Sequence, residues 1–132
     1  MGWTKELNEG DWYLLHTLVH VARADDEVVP MEVAFIDTVM KALDVGDADR
    51  KTVKAMLRGE GAIPPVDARP PASLTYERKL DVFREAISLA FADGVFAQEE
   101  KELVNKLVQR LGLHPGDMQP IWDRAKRHYL DG

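Results

Sequence analysis

The chain has 132 residues, of which 45% are hydrophobic, and this is enough to bury a core of the size usual for one domain. It has no cysteine, which excludes disulfide frameworks, thiolate nucleophiles and cysteine-ligated zinc. The formal net charge of -6 arises in the first 46 residues, where nine acidic residues stand against three basic ones. Such a balance disfavours nucleic acid, whose phosphates are bound through Lys and Arg, and favours cations or basic protein partners.

No apolar run approaches the length of about eighteen residues that a membrane-spanning helix needs. The amino-terminal stretch also lacks the basic and then apolar layout of a secretion signal. We therefore expect a cytoplasmic protein without a transmembrane segment.

Apolar residues at three- and four-residue spacing predict a first helix between Asn8 and about Ala24. Asn8 is expected to be its N-cap, with Asp11 three residues later as the reciprocal partner. The buried stripe of this helix is expected to comprise Leu14, Leu15, Leu18, Val21 and Ala22. Two aspartates, Asp25 and Asp26, then begin a turn.

A second helix is predicted to start at Pro30, because the first helical position has no use for the N–H that proline lacks. Glu32 would then lie in the first turn, near the partial positive charge of the helix N-terminus. This helix is expected to reach about Asp44, with Gly46 as its stop. A third helix is expected over about residues 47–58.

Residues 59–73 contain two glycines and two proline pairs, and this composition predicts a connection without a helix. We call this segment the joint. After it the plan repeats, with helices expected from about Leu74 or Thr75 to Ala92, over residues 98–111 and from Pro115 onward. The two halves, at about 8–58 and 74–130, are expected to pack on each other within a single domain of residues 1–132.

The second half repeats the sequence of the first. Residues 24–33 (ADDEVVPMEV) return 68 positions later as residues 92–101 (ADGVFAQEEK). Asp25 falls on Asp93 and Glu32 on Glu100 without a gap, and most apolar positions of the flanking helices also fall in register. Repetition of this kind indicates an internal duplication. The sequence therefore predicts an all-α bundle of six or seven helices, built from two duplicated three-helix halves with approximate internal twofold symmetry.

The repeated turn carries a resemblance to a known family. In the second copy Ala92, Asp93, Gly94, Phe96 and Glu100 lie at the marked positions of the family pattern A-D-G-x-[VI]-x-x-x-E, as Ala24, Asp25, Val28 and Glu32 do in the first copy. The chain thus resembles the TerB-like tellurite-resistance family, whose architecture is also a pair of three-helix halves. It is similar as well to the N-terminal domain of the DjlA-type membrane co-chaperones.

The resemblance implies a metal site, because the family has an acidic cluster proposed to bind metal. The first candidates that it implies are Asp25, Glu32, Asp93 and Glu100, followed by Asp26, Glu27 and Glu99. Ligands that are all oxygen suit Ca²⁺, Mg²⁺ or Mn²⁺. An EF-hand is excluded, because eight positions span Asp25 to Glu32 where that loop has about twelve. If the two turns face each other, a cation would relieve the repulsion among their carboxylates.

The same residues also support a purely structural interpretation. Val29 and Ala97 stand where a Ser or Thr N-cap is usual, which leaves Asp25 and Asp93 to accept hydrogen bonds from the first amides of the following helices. A glutamate in the first turn gains about 0.3 to 1 kcal/mol from the helix dipole. On this interpretation each acidic turn only braces the corner between two helices.

Other candidate chemistry is weaker. His16 and His20 are four residues apart and share a helix face, as two zinc ligands do, but solvent-exposed surface is the favoured interpretation. A basic cluster near the carboxyl end is short and lies at a helix end, where cations are favoured without nucleic acid; its members are Arg124, Lys126, Arg127 and His128. Neither of the two serines, Ser73 and Ser88, lies in a nucleophile motif.

We therefore expect a helical domain without enzymatic activity. The resemblance implies a cation-responsive or protein-interaction module in a bacterial stress response, with a role in tellurite resistance and loose association with membrane complexes. The alternative is a metal-free adaptor, similar to a co-chaperone domain, that contacts protein partners through an apolar helix face.

Overall fold

The computed structural model describes residues 7–24, 27–92 and 96–129. Within these ranges the chain forms six helices and no strand. The helices are α1 (Glu9–Ala22), α2 (Pro30–Ala42), α3 (Asp47–Leu57), α4 (Tyr76–Phe91), α5 (Gln98–Leu111) and α6 (Pro115–Tyr129). The predicted all-α bundle is confirmed, and the helices of the two halves correspond in order.

The helix starts follow the capping residues of the sequence. Asn8 accepts a hydrogen bond from the Asp11 amide at 2.8 Å, and Thr75 caps α4 by accepting from the Arg78 amide at 3.2 Å. The Asp11 side chain, which is buried, also pairs with the Arg78 guanidinium at 3.0 Å. It therefore joins the first turn of α1 to the first turn of α4.

The end of α2 differs from the prediction. The helix stops at Ala42, and the residue in the left-handed conformation is Asp44, with φ of 59°. The Asp44 amide donates to the Lys41 carbonyl and the Val45 amide to the Met40 carbonyl, which is the pattern of a Schellman motif. Gly46 serves instead as the N-cap of α3. Aspartate tolerates the left-handed region better than most residues, so a glycine was not required at this position.

Helices α1 and α4 form the centre of the bundle and pack on each other. α1 also packs on α2 and α3, and α4 packs on α5 and α6, so each half places its first helix inside. The central pair contributes most of the fully buried large side chains, including Leu15, Leu18, Ile87, Leu89 and Phe91. Each such side chain stabilises the fold by about 1.5 to 3 kcal/mol relative to an exposed one.

The joint contains no helix and runs back along α1. In its first half the carbonyl of Pro64 accepts a hydrogen bond from Nε2 of His20. A carbonyl oxygen can only accept, so Nε2 must carry the proton. Near its end Ser73 donates to the Glu9 carboxylate at 3.4 Å. Val66 within the joint and Leu74 directly after it are buried, at 9% and 7% exposure. No helix among the described residues is long and apolar enough to cross a membrane.

The first turns of α4 and α6 are also tied together. The Tyr76 hydroxyl donates to the Asp117 carboxylate and accepts from the His114 amide at 3.0 Å. The hydrogen bond to Asp117 is the main cause of a raised pKa at Tyr76. This contact fixes the start of α6 against α4.

Candidate site at the two acidic corners

We name the segment between α1 and α2 the first corner and the segment between α4 and α5 the second corner. Three of the seven candidate ligands, Asp25, Asp26 and Asp93, lie outside the described residues, and so does Gly94. The structure describes the other four candidates, which are Glu27, Glu32, Glu99 and Glu100.

Glu32 and Glu100 occupy the same position in their helices and are buried to the same extent. Each is the third residue of its helix and is nearly buried, at 6% and 5% exposure. Glu32 accepts a hydrogen bond from the Val29 amide at 3.0 Å, and Glu100 accepts one from the Ala97 amide at 3.1 Å. Both carboxylates therefore reach back to the N-cap amide, as the glutamate of a capping box does.

The other half of that capping box is missing in both corners. The N-cap residues are Val29 and Ala97, whose side chains have no oxygen to accept a bond from the helix amides. The prediction that Asp25 and Asp93 supply those acceptors concerns positions outside the described residues. The bracing interpretation is thus supported for the glutamates and stays a prediction for the aspartates.

The second-rank candidates are placed differently. Glu27 precedes α2 and Glu99 is the second residue of α5, and both side chains are exposed. Within residues 7–24, 27–92 and 96–129, no group of three or more histidine, aspartate or glutamate side chains is placed to hold a metal ion. A metal site shared by the corners would therefore have to include Asp25, Asp26 or Asp93.

An aromatic cluster supports the second corner and was not predicted. Phe96, just after the turn, contacts Phe91 edge to face at a centroid distance of 4.7 Å and Trp122 at 5.4 Å. The Lys101 ammonium lies 5.8 Å from the Phe96 centroid. Phe91 and Phe96 on either side of one turn were a usable signal in the sequence.

The first corner lacks these aromatic residues. The positions that correspond to Phe91 and Phe96 are Arg23 and Val28. Arg23 instead donates through Nη1 to the Met56 carbonyl at 3.4 Å, at the end of α3. The two corners thus share a buried glutamate but differ in the contacts at the end of the preceding helix. These contacts are a hydrogen bond from Arg23 at the first corner and aromatic packing of Phe91 at the second.

The two histidines of α1 are half-buried, and the prediction of exposed surface is wrong for them. They line a groove of about 510 Å³ between α1 and the joint, together with Trp12, Tyr13 and Pro65. His16 stacks on Trp12 at 5.5 Å, and burial, followed by the charge of His20, lowers the pKa of His16. In the part of the chain that is described, no third histidine or acidic side chain is placed with them to hold a metal ion, so the zinc hypothesis gains no support.

Comparison with known proteins adds one finding. A family model described as "Tellurite resistance protein TerB" matches the chain over residues 4–55 and 70–122. The matched segments contain both corners, and the stretch between them consists of the end of α3 and most of the joint. No curated protein and no solved structure is similar enough to match the chain.

Proposed function

Because the chain belongs to the TerB family of tellurite-resistance proteins, we propose that it is a non-enzymatic helical module whose two acidic corners bind a divalent cation. Cation binding would change how the module engages a protein partner in a cytoplasmic stress response, in loose association with membrane complexes. The observation that carries this proposal is the repetition of a buried glutamate, Glu32 and Glu100, directly after each acidic turn.

Charge is the physical reason for the proposal. A buried carboxylate is costly unless hydrogen bonds or a counter-charge compensate it. The nearly buried carboxylates of Glu32 and Glu100 both accept a hydrogen bond from an N-cap amide, and each follows an aspartate, Asp25 or Asp93, seven positions earlier. If the corners approach each other, four carboxylates gather, and Ca²⁺, Mg²⁺ or Mn²⁺ would neutralise them through the oxygen ligands that these ions prefer.

The packing of the central helices supports such an approach. α1 and α4 begin side by side, since Asp11 in the first turn of α1 pairs with Arg78 in the first turn of α4. The helices are 14 and 16 residues long and pack on each other. Because a corner follows the carboxyl end of each helix, this packing favours a common end of the bundle for the two corners.

The proposal of a non-enzymatic role rests on the nucleophiles of the chain. There is no cysteine, and the hydroxyl of Ser73, in the joint, donates a hydrogen bond to the carboxylate of Glu9 in α1. Ser88 lies within α4, and among the described residues it makes no hydrogen bond to a histidine that could act as its base. A role in binding therefore agrees better with these side chains than a role in catalysis.

A metal-free adaptor is the second candidate, and one observation favours it. The bonds from the Val29 and Ala97 amides are already a structural use for Glu32 and Glu100, because they satisfy donors at two helix starts. In that case the corners only brace the fold, and partner binding would not depend on cations.

Thermal unfolding with and without CaCl₂, MgCl₂ or MnCl₂ separates the two candidates. An ion that binds only the folded chain stabilises it by about 2.7 kcal/mol at one hundred times its dissociation constant. We expect one of these salts to raise the melting temperature of the native chain and to leave the paired variant Asp25→Asn with Asp93→Asn unchanged. In the absence of cations the same variant should be more stable than the native chain, because repulsion is removed.

A matched control removes the same charge elsewhere. Asp44→Asn with Asp67→Asn changes two exposed aspartates by the same chemistry, and asparagine tolerates the left-handed conformation of Asp44. This control should keep the full response to the cation. Two results together would establish the metal-free adaptor and refute the cation proposal. The first is that none of the three cations stabilises the native chain. The second is that the paired variant Asp25→Asn with Asp93→Asn is less stable than the native chain in cation-free buffer.

A further inference from the structure

The second half of the bundle has a basic groove beside α4. In the first half, the joint lies along the corresponding face of α1. The groove lies between α4 and α6 and has a volume of about 660 Å³. Its lining includes the basic residues Arg84, Arg124, Arg127 and His128 and contains no acidic residue. The groove therefore concentrates positive charge on a chain whose net charge is -6.

The duplication shows what lies along the equivalent face of the first half. With the offset of 68 positions, Arg84 and Ser88 of α4 correspond to His16 and His20 of α1. His20 bonds to the carbonyl of Pro64, and the joint continues along α1 until Ser73 contacts Glu9. A proline-rich segment, with turns at Pro65–Ala68 and Pro71–Leu74, thus runs antiparallel to α1. It lies on the face of α1 that corresponds to the face of α4 beside the basic groove.

The two halves differ because the third helix of each ends at a different point. α3 stops at Leu57, after which Gly59 and Gly61, both with positive φ, turn the chain into the joint. α6 continues through the equivalent positions to Tyr129. Its additional turn contributes Arg127, and the described residues leave the groove beside α4 open.

The lining of the groove matches one kind of occupant. Pro120, Ile121, Ala125 and Tyr129 provide apolar surface, and the Tyr129 ring is held edge to face by His128 at 4.5 Å. Arg84 is paired with Asp81 at 2.7 Å, whereas Arg124 and Arg127 make no ion pair with any described residue. Arginine binds carboxylates through two parallel hydrogen bonds, so these two side chains favour an acidic ligand.

We propose that the groove between α4 and α6 docks an acidic, proline-containing segment of a partner protein, in the manner in which the joint lies along α1. Prolines of the segment pack on Tyr129 and Ile121, and its carboxylates pair with Arg124 and Arg127. A proline-rich segment loses less conformational entropy on binding, because the fixed φ of proline already restricts its backbone. This site is separate from the acidic corners and does not depend on a cation.

Fluorescence anisotropy with a labelled EEPPEE peptide at low salt tests the proposal. We expect binding by the full chain, and we expect Arg124→Gln with Arg127→Gln to weaken it by about tenfold or more, through the combined loss of two charge-assisted contacts. Both arginines are exposed, so the variant should keep the circular dichroism spectrum and melting temperature of the native chain.

The matched control is Lys126→Gln, which removes one charge from the same helix at an exposed position that does not line the groove. It should change the affinity for EEPPEE by less than about threefold, because exposed charges away from a contact contribute little. The peptides EEAAEE and QQPPQQ should both bind more weakly than EEPPEE.

Three results would overturn the proposal. They are absence of EEPPEE binding, an equal loss of binding in the Lys126→Gln and double arginine variants, and equal affinity for EEAAEE. Binding to phosphatidylserine-containing vesicles, lost in the double arginine variant while the peptide does not bind, would assign the groove to a membrane surface instead.

Discussion

Glu85 is an acidic residue whose local environment changes its titration. It is half-buried on α4, and burial raises its pKa above the ordinary glutamate value; Arg84 lowers the pKa and Asp81 raises it to smaller extents. A carboxylate with a raised pKa in the folded state favours folding while it is protonated. This contribution is complete below the unfolded-state pKa of about 4.3 and is lost as the pH rises through the folded-state pKa.

We therefore predict that Glu85→Gln stabilises the chain at pH 7, because glutamine occupies the site without a charge to desolvate. The gain in melting temperature should shrink as the pH falls and should disappear below about pH 4, where glutamate in the native chain is protonated. Thermal unfolding from pH 3 to pH 8 measures this dependence. Glu102→Gln, at an exposed position on α5, is the control and should give no gain at pH 7.

A different outcome would contradict this account of Glu85. If Glu85→Gln is less stable than the native chain at pH 7, the charged carboxylate must contribute a favourable interaction that exceeds its desolvation. The attraction to Arg84 would then outweigh burial.

At the scale of helices, the first turns of α2 and α5 depend on a glutamate rather than on an N-cap side chain. Glu32→Ala and Glu100→Ala remove the acceptor of the Val29 or Ala97 amide, and each should lower the free energy of unfolding by about 0.5 to 2 kcal/mol. Glu32→Gln and Glu100→Gln should cost less, because the amide oxygen still accepts the bond. Urea unfolding of the four variants gives these values.

The control for this prediction is Glu99→Ala, which removes an exposed carboxylate from the same first turn of α5 and should change stability by less than about 0.5 kcal/mol. If the glutamine variants lose as much stability as the alanine variants, the negative charge of Glu32 and Glu100 matters more than their hydrogen bonds. In cation-free buffer that result would weaken the bracing interpretation.

The helices could be predicted closely from the sequence because their boundaries depend on local signals. Asn8, Pro30 and Pro115 mark helix starts through side-chain capping or the fixed φ of proline, and Gly112 ends α5 with φ of 64°. The end of α2 was missed because Asp44 adopts the left-handed conformation, which sequence reasoning assigned to a glycine. In a Schellman motif the residue after the left-handed one frequently makes an apolar contact, and here that residue is Val45, at 5% exposure.

Contacts between distant segments were the part that the sequence did not reveal. The groove that contains His16 and His20 exists only because the joint folds back onto α1, and the joint has no periodic pattern from which its path could be predicted. The same holds for the contact of Phe96 with Trp122, which are 26 positions apart and belong to different elements. Such pairs are determined by packing rather than by local propensity.

At the scale of the whole molecule, the duplication predicted the paired packing of the halves but not their differences. The same offset of 68 positions relates α1 to α4 and α3 to α6. The joint nevertheless packs along α1, whereas α4 has a basic groove in the corresponding place, next to the longer helix α6. The family match supports the two-half architecture and a relation to tellurite resistance. The proposed cation site depends on the separation of the two corners, which is set by the crossing of α1 and α4.

Amide chemical shifts of the isotope-labelled native chain, followed during a titration with CaCl₂ or MgCl₂, test the central claim most directly. If the corners share an ion, the signals of Asp25, Asp26, Asp93 and Gly94 should move together along one binding curve that saturates at one ion per chain. Signals that stay in place at millimolar cation, or that move at only one corner, would contradict a shared site.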